Sequence, residues 1–86
     1  MTTSTAYTTK KGLTIRPGDQ FQDTRPSNVR TLLVDSLEAE YGETFALCIV
    51  TRQEYDGQVT EPMRPTKMRA DRLGGRGFKR VAEAEQ

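Results

Sequence analysis

Between Arg64 and Arg80 seven cationic side chains, Arg64, Lys67, Arg69, Arg72, Arg76, Lys79 and Arg80, stand against one acid, Asp71. The chain of 86 residues has a net charge of only +1, so this segregation is local. Clustered guanidinium and ammonium groups release counterions from a phosphodiester backbone, and glycines such as Gly74, Gly75 and Gly77 let phosphate approach the main chain closely. These seven residues are therefore the candidate nucleic-acid contacts. The plainer reading makes them the solvated side of a sheet, paired with Asp35, Glu38, Glu40 and Glu43. Charge by segment keeps that reading open. Residues 1–34 hold five cations and two acids, residues 35–61 one cation and seven acids, and residues 62–86 seven cations and three acids. The molecule is expected to be dipolar.

Other chemistry is sparse. Cys48 is the one cysteine and there is no histidine, which excludes an internal disulfide and a cysteine-based metal cluster and argues against zinc or redox chemistry. Nothing beside Cys48 in the sequence would lower its pKa, so it reads as a small core residue. Asp19, Asp23, Arg25 and Arg30 have the residue types for acid–base work, but such residues more often pin turns through Arg–carboxylate forks and side-chain hydrogen bonds. No phosphate-binding loop of the Walker type and no Ser–His pairing is present. The expectation is a non-catalytic module with no catalytic residue, no metal and no cofactor. Arg76-Gly77-Phe78 begins like one RNA-recognition motif, but Lys79 and Arg80 occupy its following positions and exclude it. Pro62-Met63-Arg64-Pro65-Thr66-Lys67 fits a Pro-x-x-Pro ligand, a pattern that two prolines in one loop produce by chance. Tyr41, Tyr55 and Met63 are the candidate contacts for a protein partner.

Those residues need elements to hold them. Leu13 and Ile15 alternate with polar neighbours before the turn Pro17-Gly18-Asp19. Phe21 sits in a short half-buried strand, and Thr24 to Asn28 is turn chemistry. Residues 29–37 form the next strand, with Leu32 and Val34 on one face and Leu33 and Asp35 on the other. A short helix from Asp35 to Gly42 competes there. Residues 43–52 are the strongest strand, apolar on both faces, which predicts a central strand covered on two sides. Residues 53–64 read as the longest loop. Thr66, Met68 and Ala70 alternate with charged residues in a fourth strand, and Phe78 to Val81 end the fold as a strand or as a helix running into the Ala/Glu tail. The expected fold is all-β, a small five-stranded SH3-like barrel over residues 13–81, with a disordered tail at 1–12 and a C-terminal tail at 82–86. A lone thiol and the absence of any apolar run near about 20 residues point to the cytoplasm and away from membranes.

The order of these motifs resembles a group of small uncharacterised proteins of actinobacteria and their phages and plasmids. The resemblance rests on Gly18-Asp19, Phe21, Asp23, Arg25, Arg30-Thr31-Leu32-Leu33-Val34, Thr66-Lys67-Met68-Arg69, Arg72-Leu73 and Phe78-Lys79-Arg80-Val81. Phe21 replaces a frequent Trp, and Gly74-Gly75-Arg76-Gly77 is longer and richer in glycine than usual. The resemblance implies a compact β-barrel in a mobile-element or regulatory setting and no activity. Two functions follow as expectations: a module for DNA or RNA that uses the basic strands, or a protein-interaction module that engages a host protein or itself.

Overall fold

Alternating apolar residues and tight turns organise nearly the whole chain into strands, and the computed structural model describes residues 2–83 of it. In chain order they are β1 (Thr2–Ser4), β2 (Tyr7–Thr8), β3 (Thr14–Ile15), β4 (Gln20–Asp23), β5 (Asn28–Glu40), β6 (Glu43–Tyr55), β7 (Gln58–Thr60), β8 (Arg64–Arg69), the turn of helix α1 (Ala70–Leu73) and β9 (Phe78–Ala82). Antiparallel pairing gives one curled sheet in the order β7-β6-β5-β4-β9, with β8 on β6 and β1 on β5, and β2 pairs with β3 apart from it. The fold is all-β, a half-barrel whose spine is the long β5–β6 hairpin.

The five expected strands are present as β4, β5, β6, β8 and β9, and the structure extends two of them. The segment weighed as a helix, Asp35 to Gly42, is instead the second half of β5, turned back by Tyr41 and Gly42 at φ 52 and 78. Both central residues lie in the left-handed region, the geometry that suits a two-residue hairpin. The same device at Asp56-Gly57 continues β6 into β7, so most of the expected long loop is strand. Ala70 and Asp71, expected at the end of the fourth strand, lie in α1.

A bulge corrects the face of Leu37. Simple alternation from Leu33 places Leu37 on the outer face, yet Val34 pairs with Cys48 and Ser36 with Leu47, leaving Asp35 as the extra residue. Leu37 thereby joins Phe21, Ile15, Leu32, Val34, Cys48, Val50 and Leu73 in the fully buried core. A second irregularity, opposite Gln20 and Phe21, settles β9: Val81 turns out to solvent and Arg80 turns in, and the helix alternative for that segment is not taken up. The C-terminal tail begins later than expected, and its residues 84–86 lie outside the described residues.

The N-terminal tail differs most from expectation. β1 pairs with β5 in the register Thr2–Ala39 to Ser4–Leu37, and β2 and β3 close a small hairpin. Thr9 is buried in its turn, where its hydroxyl accepts the Leu13 N–H at 3.1 Å. Sparse apolar content is offset by the contacts that Tyr7, Thr9 and Lys10 make with the distant segment around Asp71 and Gly74.

β6 also departs from expectation. Ala46, Cys48 and Val50 enter the core, while Phe45, Leu47 and Ile49 are only half-buried on the outer face. Among the described residues, β6 is covered on one side.

Candidate nucleic-acid interface

The basic run does not form one patch. β8 presents Lys67 and Arg69 outward beside the acidic end of the β5–β6 hairpin, because Met68 between them packs in the core. Lys67 donates from Nζ to Glu40 Oε2 at 3.1 Å and lies 4.8 Å from the centre of the Phe45 ring. Arg69 Nε is 3.2 Å from Glu43 Oε2. These pairs also relieve the repulsion between Glu40 and Glu43, which are direct cross-strand partners. The plainer reading holds for these two cations.

Arg80 is likewise engaged. It donates to the Thr14 carbonyl at 2.8 Å, and its guanidinium lies 3.7 Å from Asp19 Oδ2 and 3.0 Å from Glu83 Oε1. Asp19 is 2% exposed and also accepts the Arg16 N–H at 2.9 Å, closing the turn in which Gly18 takes φ 99. Arg80 therefore ties the β3–β4 turn to β9.

Asp71, the one acid inside the run, faces the N-terminal hairpin and not its basic neighbours. The Tyr7 hydroxyl donates to both of its oxygens at 3.0 and 3.1 Å, and the Lys10 N–H donates to Oδ1 at 3.0 Å. Burial and the adjacent carboxylate raise the Tyr7 pKa. Thr9, in the same hairpin, packs against Gly74. A Cβ at Gly74 would stand 2.9 Å from Thr9 Oγ1, so this glycine serves a close approach between segments and not a ligand. The signal in the sequence was Tyr7, an isolated aromatic in a Thr-rich stretch.

What remains is a smaller cationic set at one mouth of the half-barrel. The β4–β5 turn and the α1–β9 loop are joined there by Thr24, whose N–H donates to the Gly77 carbonyl at 3.0 Å and whose hydroxyl donates to the Arg76 carbonyl at 2.7 Å. Between them lies a cleft of about 240 Å³, lined by Asp23, Arg25, Asn28, Arg30, Arg72 and Gly77, among others. Its one carboxylate is committed: Asp23 accepts the Arg30 N–H at 2.8 Å, Arg30 Nε at 3.0 Å and Arg30 Nη2 at 3.1 Å. Hydrogen bonding to Asp23 raises the Arg30 pKa against the opposing effect of burial. The Arg30 guanidinium also lies 5.9 Å from the centre of the Phe78 ring. The expected pinning role is seen in Asp23 and Arg30.

Arg25, Arg64, Arg72, Arg76 and Lys79 are exposed and have no ion-pair partner among the described residues. Arg25 and Arg72 line the mouth, Arg76 is on its rim, and Lys79 follows on β9 opposite Gln22. Arg64 stands apart at the start of β8, opposite Val50. Gly77 opens onto the cleft, and a Cβ there would meet nothing within 4 Å, so of the three glycines in the basic run it is the one that leaves room for a ligand. Tyr55 is 62% exposed beside Pro26 and Ser27, next to the turn that carries Arg25. Tyr41, 95% exposed, is at the opposite end of the 13-residue β6, and Met63 is at the β7–β8 junction. The three candidate protein contacts do not share one surface.

A larger cleft of about 340 Å³ is lined by Tyr7, Lys10, Glu43, Arg69, Asp71 and Arg72, among others, but its acids already serve its neighbours. Its charge is more nearly balanced, with Lys10, Arg69 and Arg72 against Glu43 and Asp71. Among the described residues no group of three or more His, Cys, Asp or Glu is placed to hold a metal, and no helix is long and apolar enough to cross a membrane. No protein-family model matches this chain, and no curated protein or solved structure matches it either.

Proposed function

We propose that this protein is a nucleic-acid-binding module that takes a phosphodiester backbone at the mouth between the β4–β5 turn and the α1–β9 loop. One observation carries the reading: Arg25 and Arg72 face a common cleft whose one acid, Asp23, is already held in a fork by Arg30. Arg76 and Lys79 extend the positive surface past the rim. Tyr55 beside the same turn offers a face for a base, and aromatic faces next to cationic grooves suit single strands of any sequence. Lys67, Arg69 and Arg80 are structural in this reading, since carboxylates within the chain engage them. The cytoplasm and the mobile-element or regulatory setting expected from the sequence are compatible with such a module.

The test is fluorescence anisotropy with a labelled single-stranded oligonucleotide over a range of salt. Contacts from Arg25, Arg72, Arg76 and Lys79 predict a log–log slope near about −3, from roughly 0.7 per phosphate on a single strand. The double variant Arg25→Glu, Arg72→Glu loses binding, whereas Lys67→Gln leaves it unchanged. A flat salt dependence, or binding that survives the double variant, refutes the proposal.

A further inference from the structure

We propose that the outer face of β5, β6 and β8 is the interface of a two-fold homodimer. The face has three parallel columns. On β5 stand Leu33, Asp35, Ser36, Glu38 and Glu40, acidic from Asp35 onward; on β6 stand Ile49, Leu47 and Phe45; on β8 stand Pro65, Lys67 and Arg69. The middle column is half-buried aliphatic and aromatic surface. It is the side of β6 that the sequence pattern predicted to be covered and that no segment among the described residues covers. A groove of about 260 Å³ opens along it, lined by Asp35, Leu47, Ile49, Pro65 and Lys67, among others.

Charge complementarity selects a second copy as the occupant. A two-fold axis running along β6, above Leu47, sets the acidic column of one chain against the basic column of its mate and brings the apolar columns together. The pairing register sets the levels: Ser36, Leu47 and Lys67 are aligned, as are Glu38, Phe45 and Arg69. Asp35, bulged next to Ser36, then meets Lys67 of the other copy, and Glu38 meets Arg69 of the other copy. Asp35 and Glu38 have no ion-pair partner among the described residues, so these contacts supply ones the monomer does not. An isologous interface requires such self-complementarity, and sheets packed face to face keep their strands nearly aligned. The face is separate from the mouth, so the inference stands whether or not nucleic acid binds.

Sedimentation equilibrium on nucleic-acid-free protein tests it. The wild type should approach twice 9.7 kDa as concentration rises, and Leu47→Glu should remain at 9.7 kDa with an unchanged far-ultraviolet circular dichroism spectrum. If Leu47→Glu fails to fold, two surface variants decide. Asp35→Lys with Glu38→Lys, and Lys67→Glu with Arg69→Glu, should each be monomeric alone and should form a heterodimer when mixed. A wild type still at 9.7 kDa near about 1 mM, where a millimolar complex is half formed, overturns the proposal. So does a dimer indifferent to these variants, which would place the contact elsewhere.

Discussion

Asp71 holds the N-terminal hairpin to the half-barrel, and replacing it with alanine should release that hairpin without unfolding the core. Two hydrogen bonds to a carboxylate are lost, one from the Tyr7 hydroxyl and one from the Lys10 N–H. Bonds to charged groups contribute about 1.5–3 kcal/mol when buried. Tyr7 is part-buried and Lys10 exposed, which reduces them to about 1 and 0.5 kcal/mol, or about 1.5 kcal/mol together. Tyr7→Phe removes only the first and should cost about 1 kcal/mol, and the double variant should cost no more than Asp71→Ala alone, a coupling of about 1 kcal/mol. Urea unfolding of the four proteins gives the cycle, and in this size class a loss of about 1.5 kcal/mol lowers Tm by about 8 °C. Amide exchange supplies the local readout: Thr9 and Gly12, whose N–H groups donate within the hairpin turn, should exchange faster while the β5–β6 ladder stays protected. Additive costs for Tyr7→Phe and Asp71→Ala, or unchanged exchange at Thr9, would refute this view of how the N-terminus is held.

Three further outcomes follow from the same contacts. Gly74→Ala should cost about 1–3 kcal/mol by overpacking, because Thr9 is buried and its hydroxyl is engaged by Leu13, and Thr9→Ala should recover part of that loss in the double variant, read by urea unfolding. Burial pushes the Cys48 thiol up to about 11 from its ordinary 9.0, so its contribution to stability is complete below pH 9 and is lost as pH rises through about 11; Cys48→Ala should flatten that part of the stability–pH curve, and the native thiol should resist a thiol reagent at pH 8 until urea exposes it. Glu43→Gln should change stability by less than about 0.5 kcal/mol, since the Arg69–Glu43 pair is solvent-exposed on both sides, and a larger loss by chemical denaturation would contradict its treatment as a surface pair.

Strands with their own alternation were legible in the sequence. β6 could be read from Phe45 to Val50, and the turn at Pro17-Gly18 from residue chemistry alone. The second half of β5 was harder, because Glu38-Ala39-Glu40 has little strand preference and is held by the register with β6. Leu37 falls on the wrong face by simple alternation because a bulge resets it, and nothing local in Val34-Asp35-Ser36 announces that bulge. The N-terminal strands were invisible for a different reason: β1 pairs with the distant β5, and Tyr7 and Asp71, whose bond holds β2, are 64 residues apart. The candidate site was legible as a cluster of cations but not as a partition. Which cations are engaged depends on cross-strand neighbours, so Lys67 and Arg69 meet Glu40 and Glu43, Arg80 turns inward at an irregular register, and Arg25, read as a turn pin, lines the mouth instead.

In the proposed function the uncompensated arginines at the mouth, and not the paired cations of β8, receive a phosphodiester backbone. Titration of uniformly ¹⁵N-labelled protein with a short single-stranded oligonucleotide at low salt tests this residue by residue. Amide shifts should concentrate at Arg25, Asn28, Tyr55, Arg72 and Gly77, with Lys67 and Arg69 unmoved. Shifts centred on β8 and the outer face of β6, or no shifts at all, would contradict it.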